Sequence, residues 1–115
     1  MRNFIPILIV LISFTSSAEE VVYLNDEPAK NTYPFSKATQ VGQVLYLSGE
    51  LGVDPKTGKL APGGIVPETK QLMTNISNTL NKYNSDLGRV AKCTVFLADI
   101  KEWPQFNEVY RTFLN

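Results

Sequence analysis

A chain of 115 residues with 43% apolar content has room for one domain with an ordinary core. Eleven acidic residues balance eleven basic ones and no basic run stands out, so neither nucleic acid nor an anionic membrane is an expected partner. Histidine is absent and Cys93 is the single cysteine, which excludes Ser-His-Asp triads, Cys-His dyads, HExxH zinc sites, intrachain disulfides and CxxC redox pairs within the chain.

The first eighteen residues resemble a secretory signal peptide. Arg2 supplies a positive start, Phe4 to Phe14 is almost wholly apolar, and Ser16 and Ala18 fit a small-x-small cleavage site. The apolar run is shorter than the roughly 20 residues of a membrane span, and Pro6 interrupts it. The expectation is cleavage after Ala18, a periplasmic or secreted product, and no stable membrane association afterwards. An uncleaved anchor and a start codon placed too far upstream are the alternatives. Residues 19–115 then form the domain.

Val21 to Leu24 is a candidate strand, broken by Asn25-Asp26-Glu27-Pro28. Ala38 to Val41 and Val44 to Leu51 are read as a hairpin across Gly42-Gln43. Glycine at the first loop position suits a type II′ turn. Both faces of the second arm carry apolar groups, Leu45 and Leu47 on one and Val44 and Tyr46 on the other. That pattern predicts a central or doubly covered strand. Asp54-Pro55-Lys56-Thr57-Gly58 is a turn.

Pro67 fits a first helical turn. Leu72, Ile76 and Leu80, with Met73 and Tyr83 beside them, predict a helix from Pro67 to Tyr83, ending near Asn84-Ser85. Val90 to Leu97 is β-branched and predicts a strand, with Cys93 a buried thiol inside it. A second helix follows Asp99 to Glu102. It tolerates Pro104 in its first turn and has a core stripe of Trp103, Phe106, Val109, Tyr110 and Phe113. The order β-β-β-α-β-α predicts an α+β fold: a mixed sheet with a crossover helix and both helices on one sheet face.

Few side chains suggest chemistry. Gly49, between Ser48 and Glu50, would let a ligand approach the backbone and offer it an N–H; a strand-end bulge is the structural alternative. Glu50 is a candidate proton-transfer group or a solvated carboxylate. Asn107 lies mid-helix, where its amide would orient a carboxylate or a water, or face solvent. Asn75-Ile76-Ser77 matches a glycosylation sequon inside the first helix and is read as chance.

Five stretches together resemble the RidA (YjgF) family. They are Pro34 to Ala38, Val41 to Gly52 followed by Asp54 to Gly58, and Val90 to Ile100 with Phe106 to Tyr110. The resemblance implies a chorismate-mutase-like α+β fold forming a homotrimer with clefts between subunits. It implies hydrolysis of reactive 2-imino acids to 2-keto acids and ammonia, without a metal or organic cofactor. The small-molecule partner would be an imino or keto acid. By position, Ser48 and Gly49 match the strand-end segment of the family's cleft, and Asn107 a helix asparagine there. Phe35 stands where the family has a tyrosine, Tyr33 where it has a glycine, and Glu50 where glutamine is frequent. Typical members continue into a Phe-Pro-Ala-Arg segment and two further strands. That arginine holds the substrate carboxylate, and a later glutamate handles water. The sequence reaches Asn115 before that segment, and Arg111 belongs to the second helix. The expectation is a domain incomplete at its C-terminus, with no residue assigned a certain catalytic role. Deaminase activity should be low, and solubility or trimer formation poor. A non-catalytic small-molecule-binding or chaperone-like module of the same fold is the alternative.

Overall fold

The computed structural model describes residues 17–26 and 33–114. Except at Ser17-Ala18, the expected signal segment lies outside the described residues. Among those residues, no helix is long and apolar enough to cross a membrane. The chain forms two compact units, residues 1–48 and residues 49–115.

The first unit is a three-stranded antiparallel sheet in the order β1 (Val21–Leu24), β2 (Ala38–Val41), β3 (Val44–Leu47). Gly42 takes φ 55°, while Gln43 stays at negative φ. One positive angle at the first loop position is the type II′ pattern, so the hairpin forms as expected. Asn25 ties the end of β1 to the approach to β2, its Oδ1 accepting the Lys37 N–H at 2.9 Å. β3 is shorter than the expected Val44–Leu51 and lies at the sheet's edge; β2 is central. Its apolar pattern therefore reflects exposure, with Val44 and Tyr46 both over half exposed, rather than double coverage.

The second unit begins with a short hairpin, β4 (Val53–Asp54) and β5 (Lys59–Leu60). The Asp54 side chain accepts the Lys56 N–H at 2.8 Å, and its carbonyl accepts the Gly58 N–H at 2.8 Å, with Gly58 at φ 68°. An Asx turn and a left-handed glycine thus close it. Helix α1 (Ile65–Lys82) follows. It ends in a Schellman motif. The Ser85 N–H reaches the Leu80 carbonyl at 2.9 Å and the Asn84 N–H the Asn81 carbonyl at 3.2 Å, with Asn84 at φ 60°. A 3₁₀ turn at Ile100–Glu102, capped by Asp99 accepting the Lys101 N–H at 2.9 Å, leads into α2 (Trp103–Tyr110). Pro104 occupies the first turn of α2, where no N–H is needed.

Met73 and Leu80 of α1 and Phe106 and Val109 of α2 form the buried core of this unit, the two helices packing together. The buried α1 face centres on Thr69, Met73 and Leu80; Leu72 and Ile76 are only half-buried. Thr69 tolerates burial because its hydroxyl donates to the Ile65 carbonyl at 2.6 Å. On α2 the rings stack in sequence, Trp103 on Phe106 at 5.8 Å and Phe106 on Tyr110 at 5.2 Å between centroids.

The expected strand Val90–Leu97 pairs with no other segment among the described residues. Cys93 is exposed there instead of buried, and Phe96 is 92% exposed. A β-branched run has strand propensity, but a strand exists only with a hydrogen-bonded neighbour.

Candidate functional site

Phe35 and Ser48 come together in the first unit. They line one open hollow of about 380 Å³ with Tyr23, Pro34, Thr39 and Tyr46 among its walls. Sheet register explains three of these. Tyr23 pairs with Thr39 and Thr39 with Tyr46, so three hydroxyl-bearing side chains form one cross-strand row. Among the described residues, no charged side chain lines the hollow. Phe35 is half-exposed and stacks on Tyr33 at 5.3 Å. It adds ring surface without a polar tip. The hydroxyls of Tyr23 and Tyr46, which the family resemblance does not single out, join those of Ser36, Thr39 and Ser48 as the polar groups of its walls.

Ser48 is committed. Its hydroxyl donates to the Lys37 carbonyl at 3.0 Å, and its backbone N–H donates to the same oxygen at 3.2 Å. With its proton so used, the hydroxyl meets a ligand as an acceptor.

Gly49 belongs to the second unit. It is exposed, keeps a φ outside the left-handed range, and a Cβ built there would meet nothing within 4 Å. Gly52 differs: a Cβ there would collide with the Glu68 backbone of α1. The local fold needs a glycine at 52 and has no such need at 49. The open side of Gly49 is room for a ligand to reach the backbone.

Asn107, on α2, is half-buried, and its side chain makes no hydrogen bond among the described residues. Its amide is available as donor and acceptor. Three residues further along α2, Tyr110 has its phenol pushed up to about 12, first by burial and then by a side-chain hydrogen bond with Cys93. That phenol stays protonated throughout the physiological range. Among the described residues, no group of three or more Cys, Asp or Glu side chains is placed to hold a metal ion.

The family profile described as Endoribonuclease L-PSP matches residues 25–115. Over 80 residues the chain is 42% identical to the 2-iminobutanoate/2-iminopropanoate deaminase of Mus musculus, covering 70% of this chain and 59% of that protein. A RutC family protein of Pyrococcus abyssi is 34% identical over 96 residues, covering 84% and 75%. Among solved structures, RidA from the Antarctic bacterium Psychrobacter superposes with a TM-score of 0.68 at 32% identity, over 74% of this chain and 68% of that one. Yeast Mmf1 gives 0.71 at 31%, over 82% and 75%. The chain thus spans about three fifths of the mammalian deaminases it matches, 59% in the mouse case.

Proposed function

The chain belongs to the Endoribonuclease L-PSP family, the RidA family of the resemblance above, and has its α+β fold; from that premise we propose that it acts on small 2-imino acids or the 2-keto acids they become. The reaction is addition of water across the C=N bond, transfer of a proton to nitrogen and expulsion of ammonia, leaving the keto acid. The imine is already electrophilic, so a site that positions it and one water suffices. No cofactor enters the proposal.

The observation that supports this reading best is the exposed, unobstructed backbone of Gly49. Its N–H is the donor for a carboxylate or carbonyl oxygen of the ligand. In the same unit Asn107 carries a further amide donor; the first unit has its own candidate groups, Ser48 as an acceptor for an imine N–H or a water. Phe35 supplies apolar contact. Among the described residues, no cation lines the hollow of the first unit. A neutral amide holds a carboxylate less firmly than a bidentate guanidinium. Binding weaker than a guanidinium would give, and slow turnover, are therefore expected. Homotrimeric assembly and export through residues 1–18 belong to the same proposal.

A second reading, a non-catalytic module that binds small acids, draws on that same hollow, whose described walls carry no charge, and on Phe35 in place of a tyrosine. One experiment separates the two. Purified protein is mixed with freshly generated 2-iminobutanoate, and keto-acid release is compared with spontaneous hydrolysis. Acceleration over the uncatalysed rate supports deamination. Binding of 2-oxobutanoate with no acceleration supports the second reading. Neither binding nor acceleration overturns both.

A further inference from the structure

Asn75 lies within α1, where sequence reading noticed only a glycosylation sequon. Its Nδ2 donates to the Leu51 carbonyl at 3.1 Å and to the Val53 carbonyl at 2.8 Å. Its Oδ1 accepts from the Gln71 amide at 2.8 Å. Backbone carbonyls can only accept, so the nitrogen must face them and the orientation of the amide is settled. Between the two carbonyls, Gly52 turns its own oxygen the other way, to the Ala61 N–H at 2.9 Å. Three consecutive carbonyls are thus all paired, alternating in direction as an extended chain requires. Gly52 itself is buried with its Cα against the Glu68 backbone. The segment that begins two residues after Gly49 is therefore pinned to α1, and Asn75 supplies two of the bonds that pin it.

We propose that Asn75 is a positioning residue: by bracing Leu51 and Val53 against α1 it sets where the Gly49 N–H is presented to a ligand. The inference rests on the reading that Gly49 contacts a keto or imino acid. Asparagine suits the task because only a primary amide offers two N–H groups and an acceptor in one plane. Aspartate has the same shape, but its carboxylate donates nothing and would face two carbonyl oxygens.

The test compares wild type, Asn75→Asp and Leu80→Ala. Leu80→Ala thins the core of the same helix and removes neither of the Asn75 bonds to Leu51 and Val53, so it controls for lost stability. Glycine-labelled protein gives the position of the Gly49 amide resonance, and calorimetry gives the affinity for 2-oxobutanoate. Asn75→Asp is expected to move the Gly49 resonance and weaken binding about tenfold, as loss of two modest hydrogen bonds would. Lowering the pH should restore part of both, since a protonated carboxyl regains one donor. Leu80→Ala should leave the resonance in place and affinity within about twofold. An unmoved Gly49 resonance in Asn75→Asp overturns the proposal, as does an affinity loss no larger than in Leu80→Ala. If wild type binds no keto acid, the functional reading falls by itself, and the Gly49 resonance still decides whether Asn75 positions that amide.

Discussion

The Lys37 carbonyl accepts two hydrogen bonds from Ser48, one from the hydroxyl at 3.0 Å and one from the backbone N–H at 3.2 Å. This pair carries the β2–β3 hairpin one residue past its last strand position and fixes the rotamer of a side chain in the candidate site. Ser48→Ala removes only the hydroxyl bond. The expected loss is about 1 kcal/mol of stability, at the modest end because the site is half-exposed. Urea denaturation measures it as a lowered midpoint at constant slope. An unchanged midpoint would mean the hydroxyl bond does not persist in solution.

Gly49→Ala isolates ligand contact from folding. A methyl group at 49 has open space around it and meets no forbidden backbone angle. Thermal stability should stay within about 0.5 kcal/mol of wild type, while affinity for 2-oxobutanoate drops. Equal binding by both proteins would remove Gly49 from the site. Gly52→Ala is the contrast: the collision with the Glu68 backbone predicts a marked loss of stability.

Tyr110 predicts an alkaline limit. Its phenol has a folded pKa of about 12 against 10.0 in a model compound, with burial the leading cause and the Cys93 hydrogen bond the next. A raised folded pKa favours the folded state fully below the unfolded value, and that contribution disappears as pH rises through the folded value. Stability should therefore fall between pH 10 and pH 12. Following tyrosinate absorbance in wild type and Cys93→Ala tests the assignment. The substitution should bring the late-titrating tyrosine down only part of the way, because burial remains. A tyrosine that titrates identically in both proteins would remove Cys93 as a cause.

Asn84 holds the left-handed position that ends α1. A β-branched residue there pays the steric penalty that asparagine largely avoids. Asn84→Val should cost about 1–2 kcal/mol, and Asn84→Gly should be neutral or stabilising. Equal stability of the valine variant would show that the Schellman geometry is not maintained in solution.

Both helices, the β2–β3 hairpin and the Asp54–Gly58 turn were legible in the sequence because each is encoded locally. Proline in a first turn, glycine at a positive φ and apolar residues at helical spacing act over a few neighbours. The β4–β5 pairing was missed because two-residue strands carry no alternating pattern to detect. Position 90–97 was read as a strand on propensity alone. Whether it pairs depends on a neighbouring backbone, and none bonds to it among the described residues. Cys93 followed the same error.

The candidate site divides in the same way. Family membership and the identity of Phe35, Ser48, Gly49 and Asn107 came from ordered residue matches along the chain, which need no coordinates. Three facts needed the fold: that the Ser48 proton is spent on Lys37, that a side chain at 49 would meet open space, and that Asn75 braces Leu51 and Val53 from 24 and 22 residues away. Sequence determines which groups are present and the conformations their nearest neighbours impose. Hydrogen-bond partners and free volume are set by segments distant along the chain, so only tertiary structure decides them.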